Sequence, residues 1–364
     1  MRLIPTKRRC LILLALWLSM ISAATAGEID TLSLWERYLQ PQALWPERAP
    51  HARRDLAPLP PPVRSPDDPL ARLGEQLFHE VGLSSDESVS CASCHLPEHQ
   101  MGDARTVSEG VAGRAGRRNS PTLMNVDQWE ALFWDGRVDA LTELANHPLA
   151  DPLELDFSPY QAARRIRRDT AYAESWPAAF GDAPVVWDRI SQALAAFMET
   201  FRSEPGPLDH FLRDIEAGDF ASAATRLDDQ QLLGLHLFRT EAGCINCHNG
   251  SLLSDGEFHN IGLHYFARRF HDLGRYEVTG NDEDMGAFRT ATLRHVSQTG
   301  PWMHNGLFPS LHGIVRMYEH GGARPRRPQD LPEGEFYPET SERLQPFDLT
   351  DEERRALLAF LELL

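Results

Sequence analysis

Lysine is almost missing from this 364-residue chain, because Lys7 is its only example. Arginine therefore supplies nearly all of the permanent positive charge, and 36 basic residues face 53 acidic ones, which gives a formal net charge of −17. Such an excess of negative charge argues against nucleic acid and anionic lipid as partners. It is compatible with attraction of a basic or dipolar protein partner, and equally with a role in solubility alone.

Long apolar runs are scarce as well. One extends from Leu11 to Ile21, after a basic start and before the small residues Ala24-Thr25-Ala26. It is too short to span a bilayer, and no later segment resembles a stop-transfer sequence. Residues 1–26 are therefore predicted to be an export signal that is cleaved near Ala26 and takes Cys10 with it. The mature chain is expected to have no membrane span.

The four remaining cysteines are confined to two copies of one motif, C-x-x-C-H. The copies are Cys91-Ala92-Ser93-Cys94-His95 and Cys244-Ile245-Asn246-Cys247-His248. In c-type cytochromes the two thiols bond the vinyl groups of haem, and the adjacent histidine ligates the iron. A disulfide or redox pair and a zinc site are the alternatives, but neither needs a histidine after the second cysteine, twice. The sequence thus predicts two covalent haem c groups, and it predicts the periplasm, because such haem is attached outside the inner membrane.

The chain divides into an arm and two similar halves. Residues 27–66 are rich in proline and predict an extended arm that lies across the surface. An amphipathic helix is predicted from Leu70 to Glu80, and its segment 73–78 is echoed at 233–238, each just before a C-x-x-C-H motif. The apolar helices that follow, at 193–197 and 356–360, echo each other too. We expect an all-α fold of two tandem cytochrome c-like domains, 67–225 and 226–364, with long loops and little strand.

A glycine-rich stretch follows the first motif, from Gly110 to Gly116. No predicted strand precedes it, so the sequence context does not favour a phosphate-binding loop. A mobile loop beside the first haem is the better interpretation.

Several short motifs resemble those of the bacterial dihaem cytochrome c peroxidase family, which includes the methylamine-utilisation protein MauG. Besides the two C-x-x-C-H motifs they are R-N-S-P-T at 118–122, F-W-D-G-R at 133–137, F-R-T-A-T-L-R at 288–294 and P-W-M-H-N-G at 301–306. The resemblance extends from about Asp67 to the C-terminus. It implies a haem peroxidase that reduces hydrogen peroxide at the N-terminal haem while the C-terminal haem relays electrons.

The resemblance also implies roles for individual residues. His95 corresponds to the proximal ligand of the peroxidatic haem, and His248 to that of the electron-transfer haem. Trp134 corresponds to the tryptophan between the two haems, although a buried core aromatic is the alternative. Calcium between the domains is implied by a set of oxygen donors, for which turn capping by the asparagine is the alternative: Asn119, Thr299 and Pro301.

The distal side of the first haem decides the chemistry, because peroxide cleavage needs an open iron and a group that moves a proton. Glu154 corresponds to the family's distal glutamate, with a solvated surface carboxylate as the alternative. Val111 stands where many members have a blocking histidine, so we expect an open iron unless His99 substitutes. Leu144 stands where members often have glutamine, and the adjacent Glu143 is the residue that could compensate.

The sixth ligand of the second haem is predicted to be Tyr318, where peroxidases use methionine and MauG-like members use tyrosine. Met317 is the immediate alternative, and Met303 and His304 are outside candidates. Phenolate ligation lowers the potential of haem iron.

Three functions follow from these expectations. The first is a periplasmic peroxidase supplied with electrons by a small cytochrome c or a copper protein, with a homodimer left open. The second is a MauG-like oxidase that attacks side chains of a partner protein. Val111 and Tyr318 favour it, whereas Ala242, at the position of MauG's exit tryptophan, opposes it. The third is a dihaem electron carrier or redox sensor without turnover.

Overall fold

A computed structural model describes residues 31–364, so the predicted export signal and Cys10 lie outside the described residues. Within that range thirteen α-helices alternate with long loops and short 3₁₀ turns. None of the helices in this part of the chain is both long and apolar enough to cross a bilayer. The helices are α1 Thr31–Tyr38, α2 Pro69–Phe78, α3 Leu141–Leu144, α4 Asn146–Ala150, α5 Pro159–Arg168, α6 Ser175–Phe180, α7 Trp187–Met198, α8 Pro207–Ala217, α9 Phe220–Ala223, α10 Asp229–Arg239, α11 Tyr276–Thr279, α12 Leu311–Glu319 and α13 Asp351–Leu363.

Within residues 31–364, strand is limited to one antiparallel ribbon. β1 Phe258–His259 pairs with β2 Phe288–Arg289, with Phe258 opposite Arg289. The expected all-α class is therefore confirmed.

Helices α2 and α7 form the first of two matching pairs. Asp68 caps α2 by accepting a hydrogen bond from the Leu70 N–H, and Pro69 occupies the first turn, where its missing N–H costs nothing. The helices cross at Gly74, where an added Cβ would lie 1.9 Å from the carbonyl oxygen of Ala193. Only glycine permits this approach without a shift of backbone.

Helices α10 and α13 repeat the arrangement. A Cβ at Gly234 would lie 2.1 Å from the carbonyl oxygen of Ala356. The rings of Phe238 and Phe360 meet edge to face at 5.2 Å, an arrangement that favours aromatic pairs. The repeated segments of the sequence thus correspond to two helix crossings. In each crossing a glycine of one helix approaches an alanine of the other.

Buried apolar side chains form two separate clusters. The first core draws on residues between Leu73 and Phe201, and the second core draws on residues from Leu34 to Leu56 and from Leu208 to Leu361. The sequence interpretation put the change near residue 225. That boundary stays a prediction; in the structure α8 and α9 contribute buried side chains, among them Phe211 and Ala223, to the second core.

The N-terminal segment is part of the second core. Leu34 and Tyr38 have no exposed surface, and the Tyr38 hydroxyl lies 3.1 Å from His236 Nδ1 on α10. Arg239 of α10 donates to the same hydroxyl and to Asp55 at 3.0 Å. The expectation of an extended surface arm is therefore wrong for residues 31–56. The surrounding prolines suggested an extended segment. Leu34 and Tyr38, however, are spaced i, i+4, so both lie on one face of a short helix that packs into the core.

Ion pairs and backbone hydrogen bonds join the two cores. Arg118 donates to both carboxylate oxygens of Asp272 at 2.7 Å, and also to Asp135 at 2.5 Å. The Asn119 N–H donates to the carbonyl of His304 at 2.8 Å. Bidentate arginine–carboxylate pairs fix orientation as well as distance, so this contact sets how residues 118–135 face residues 272–304.

Candidate functional site

The first C-x-x-C-H motif forms a short 3₁₀ turn, Cys91–Ser93, with both thiols half-buried and free. The His95 N–H donates to the carbonyl of Cys91, which folds the ring back over the turn. His95 Nδ1 lies 2.8 Å from the carbonyl oxygen of Met101. This contact fixes the tautomer with Nδ1–H and leaves Nε2 free, as in histidines that ligate metals. Burial lowers the pKa of His95, which favours the neutral ring that a metal requires.

The second motif has the same geometry. Its turn is Cys244–Asn246, and the His248 N–H donates to the carbonyl of Cys244 at 2.8 Å. His248 Nδ1 lies 3.0 Å from the carbonyl of Leu253, again leaving Nε2 free. Leu253 has a positive φ of 51°, as Met101 does in the first motif at 57°. Two sites thus present a pair of thiols and an outward-facing imidazole nitrogen in the same way.

A small polar cluster adjoins the second motif. Ligand atoms of Cys247, Asp255 and His259 all lie within 4.8 Å of one another, and His259 Nε2 lies 2.8 Å from Asp255. Because Cys247 is a predicted attachment thiol, we assign this cluster to the surroundings of the second haem and not to a separate metal ion.

A cavity of about 910 Å³ lies against the first motif. Its wall includes Cys91, Cys94 and His95 on one side and Glu154 and Trp134 on others. The volume falls at the upper end of the range for cofactor pockets. The structure therefore brings the first motif together with two residues that the resemblance connects with catalysis.

The carboxyl of Glu154 is a buried acid within this cavity. Burial raises its pKa to about 7, helped by the negative charge of Asp151 and opposed by Arg137. Its backbone is held at both ends, since its N–H donates to the carbonyl of Asp151 and its carbonyl accepts from the Val111 N–H at 2.8 Å. A carboxyl with a pKa near neutrality can both accept and donate a proton, which suits acid–base chemistry.

The glycine-rich stretch packs on the backbone of Glu154. A Cβ on Gly110 would lie 2.1 Å from the carbonyl oxygen of Leu153, so the approach requires glycine. Val111 is only 1% exposed and, as expected, offers no ligand atom beside the cavity. The mobility predicted for this loop stays a prediction. In the structure Gly110 and Val111 of the loop pack on the backbone of Leu153 and Glu154.

The other distal positions differ from the expectation in one respect. Leu144 lines the cavity, whereas Glu143 is exposed and is not among the described residues of the wall. Glu143 therefore does not compensate for Leu144. His147 does line the wall, with its ring 5.3 Å from that of Phe133, and the sequence interpretation missed it. The sequence signal that could have pointed to His147 is its position one residue before Pro148, in the segment that leads to Glu154. His99 is not among the described lining residues either.

Trp134 lies where the two cores meet. Its Nε1–H donates to the carbonyl of Asn119 at 2.8 Å, and its carbonyl accepts from the Arg289 N–H at 2.8 Å. The indole also contacts the ring of His304 at 6.5 Å, and that ring stacks on Phe288 at 3.6 Å. The rings of Trp134, His304 and Phe288 thus lie next to one another where the first cavity meets the second half of the chain.

Tyr318, on α12, faces the second motif. Burial raises the pKa of its phenol above the usual range, and negative charge on Cys247 and Cys244 adds to the effect. The structure gives the Tyr318 hydroxyl no hydrogen-bond partner between residues 31 and 364. His304, an outside candidate for the same ligand, lines the first cavity instead.

The residues suggested for calcium lie partly in one region, and the ion itself stays a prediction. Asn119 Nδ2 donates to the carbonyls of Arg105 and Thr106, and Thr106 shares a second hollow with Pro301. Asn119 and Pro301 therefore adjoin the same residue, and Thr299 lies two positions before Pro301.

Comparison with known proteins gives consistent similarities. A match to the family described as "Di-haem cytochrome c peroxidase" covers residues 68–217. The cytochrome-c peroxidase IdrP1 of Pseudomonas sp. (strain SCT) is 34% identical, over 86% of this chain and 86% of that protein. The methylamine utilization protein MauG of Methylorubrum extorquens is 31% identical, over 94% of this chain and 87% of that protein.

A solved structure is similar over most of its length. It is the crystal structure of a MauG-like protein associated with microbial copper homeostasis, with a TM-score of 0.72 and 29% identity. The match covers 87% of this chain and 95% of that one.

Proposed function

The chain belongs to the di-haem cytochrome c peroxidase family, whose members are haem peroxidases, and from this premise we propose that it reduces hydrogen peroxide to water in the periplasm. The overall reaction consumes one peroxide, two electrons and two protons and yields two waters. The observation that carries the proposal is the shared cavity, in which Glu154 faces the thiols of Cys91 and Cys94 and the imidazole of His95.

The donor sets fit haem c at both motifs. Each motif supplies two free thiols and a histidine whose Nδ1 is held by a backbone carbonyl, so that Nε2 can ligate iron. When bound, the group at His95 supplies the iron that reacts with peroxide, and the group at His248 supplies an electron relay. We assign these groups to two domains, which correspond to the first and second cores.

Glu154 moves the proton. Its ionised carboxylate accepts the proton from one peroxide oxygen and returns it to the other, so that the second oxygen leaves as water. Burial of the carboxyl keeps its pKa near neutrality, which makes both transfers accessible at one pH. Val111 offers no side-chain ligand, which supports an open distal position that needs no reductive activation.

Electrons enter through the second half of the chain. The phenol of Tyr318 is buried and lies near enough to Cys244 and Cys247 for their charges to raise its pKa, which supports its role as the sixth ligand there. We assign the route between the two halves to Trp134, beside which the rings of His304 and Phe288 lie. A small periplasmic cytochrome c or cupredoxin is the proposed donor, since the acidic surface suits a basic partner at low ionic strength.

A MauG-like oxidase is the second candidate. Tyr318 favours it, because a phenolate stabilises higher oxidation states of iron, and so does the open distal side at Val111. Ala242 opposes it, being a small residue that cannot carry oxidising equivalents to a partner surface. Calcium at Asn119, Thr299 and Pro301, and a homodimer, are further proposals. Removal of calcium with a chelator should lower the melting temperature if the ion joins the two cores.

Stopped-flow spectroscopy of the ferric protein with stoichiometric hydrogen peroxide tests the proposal. A fast Soret change without prior reduction is expected. Decay that is accelerated by reduced cytochrome c supports the peroxidase, and a long-lived intermediate that is indifferent to it supports the oxidase. Absence of any reaction would show a capped first iron and contradict both.

A further inference from the structure

Three buried polar groups in the first cavity have no hydrogen-bond partner. They are Arg289 Nη1, His304 Nε2 and Asn305 Nδ2, on residues that are 8%, 3% and 7% exposed. All three residues line the cavity that also holds the first motif. Unpaired polar atoms at this depth are costly, and three of them on residues that line one cavity point to a missing partner there.

Arg289 is the most exceptional of the three. Its guanidinium stacks on Trp129 at 3.6 Å, and its Nε–H donates to the carbonyl of Phe133 at 3.2 Å. Within residues 31–364 no carboxylate forms an ion pair with it. Burial lowers its pKa to about 9, against an ordinary value above 12.

Other buried arginines in the chain show what is missing. Arg239 pairs with Asp55 at 2.5 Å, and Arg294 pairs with Asp209 at 2.7 Å. A buried charge is retained in proteins when it is paired, because desolvation without a counter-charge costs several kcal/mol. Among residues 31–364 Arg289 has no such counter-charge, which points to an anion from outside them.

The donors define the chemistry of that anion. The guanidinium of Arg289 and the amide nitrogen of Asn305 can only donate, and the neutral imidazole of His304 can donate from Nε2. A guanidinium matches a planar carboxylate through two parallel hydrogen bonds. A carboxylate on a molecule bound in this cavity would satisfy these donors.

We propose that Arg289, with His304 and Asn305, is the receptor for a propionate carboxylate of the haem attached at Cys91 and Cys94. The inference rests on the proposed function, since it requires haem in this cavity. It makes Arg289 a positioning residue contributed by β2, from the second half of the chain. The Arg289 N–H also holds the carbonyl of Trp134 at 2.8 Å, so one residue sets both the haem and the proposed relay.

The test compares Arg289→Met, which removes the charge, with Arg289→Lys, which keeps it. Arg275→Met is the matched control, because Arg275 also stacks on an aromatic ring, Phe258, and also donates to backbone carbonyls of the segment 133–136. Unlike Arg289, it is not among the described residues of the cavity wall. A pyridine haemochrome assay on the wild type first shows whether two haems are attached, and a failure there concerns the proposed function alone.

Spectroelectrochemical titration then gives the midpoint potential of the first haem. Loss of a positive charge beside a propionate stabilises the ferric state, so Arg289→Met should shift the ferric–ferrous equilibrium about tenfold, which is about 59 mV towards negative potential. Arg289→Lys should retain most of the wild-type value, and Arg275→Met should not change it. Propionate bending bands in the resonance Raman spectrum should change in Arg289→Met only.

Two results would overturn the proposal. One is an unchanged potential and unchanged propionate bands in Arg289→Met. The other is an equal shift in Arg275→Met, which would attribute the effect to packing between the two halves. If Arg289→Met retains only one haem while Arg289→Lys retains two, the receptor is supported. Loss of that haem from both Arg289 variants and from Arg275→Met would refute it.

Discussion

Replacement of Glu154 by glutamine removes one proton acceptor from the first cavity while keeping the size and shape of the side chain. General acid–base catalysis contributes about 10²–10⁴-fold to a rate. We therefore expect the second-order rate constant for the reaction of ferric protein with peroxide to fall by about 10²–10⁴-fold in Glu154→Gln. Haem content and the ferric spectrum should stay as in the wild type, because the residue is not a predicted ligand.

The pH dependence makes the prediction specific. The reactive form of Glu154 is ionised, and its pKa is raised by burial to about 7. The ionised fraction is then about one half at pH 7 and about 1% at pH 5, so the wild-type rate should fall about tenfold per unit below pH 7. In Glu154→Gln this dependence should disappear.

Two neighbours should move the midpoint in opposite directions. The negative charge of Asp151 raises the pKa of Glu154, so Asp151→Asn should shift the midpoint to lower pH and keep the plateau rate. Arg137 lowers that pKa, so Arg137→Met should shift the midpoint to higher pH.

The assay is stopped-flow mixing of ferric protein with peroxide across pH 5–9. A Glu154→Gln protein that reacts at the wild-type rate with the wild-type pH profile would refute the role of Glu154. Shifts of the same sign in Asp151→Asn and Arg137→Met would refute the electrostatic reasoning even if the rate of Glu154→Gln is low.

Three further changes have defined outcomes. Tyr318→Met should raise the midpoint potential of the second haem, because methionine ligation favours the ferrous state. Met317→Leu should leave that potential unchanged. Spectroelectrochemistry measures both. Gly74→Ala should reduce the free energy of unfolding by about 1–3 kcal/mol in denaturant titrations, because the new methyl meets backbone at 1.9 Å. Trp134→Phe should slow electron transfer from the second haem to the first after peroxide is added, because the indole and its hydrogen bond are lost. A double-mixing experiment follows this transfer.

Each of these has a result that would contradict it. A shift in Met317→Leu that equals the shift in Tyr318→Met would favour methionine as the ligand. Gly116→Ala is the control for Gly74→Ala, because its nearest contact would be an ordinary 3.5 Å. Its effect should stay within about 0.5 kcal/mol, and equal losses in the two variants would refute the packing argument. Unchanged electron transfer in Trp134→Phe would remove that residue from the route.

Much of the fold was accessible from local patterns in the sequence. The repeated segments 73–78 and 233–238 encode the two helix crossings, because periodicity and a small residue at the contact suffice to specify such a pair. The C-x-x-C-H motifs likewise place thiols and histidine through local turns. The segment around Tyr38 was predicted to be an extended surface arm. Its contacts with α10, far along the chain, are not indicated by any local pattern in the sequence.

The candidate site was predictable where chemistry is local and hidden where it is not. Glu154 was proposed through its family motif, but the rise of its pKa comes mainly from burial, and Arg137, which opposes that rise, is brought near only in the folded chain. Arg289 lies within a recognised motif, yet nothing in the sequence reveals that it lacks a carboxylate partner. Unpaired groups become visible only when all neighbours are known.

The entry of Tyr38 into the second core has a consequence for the order of folding. Tyr38 and His236 are 198 positions apart in the sequence, so their contact closes a very long loop. Closure of a flexible loop of that length costs about 5 kcal/mol of chain entropy at 25 °C. The contacts of the first core lie between residues 73 and 201 and close shorter loops, such as the one between Gly74 and Ala193. As the chain is synthesised from its N-terminus, the first core can therefore form before α10 and α13 exist. Residues 31–56 can pack into the second core only after those helices have been synthesised. The second C-x-x-C-H motif then belongs to the half that folds last, with its thiols accessible for longest.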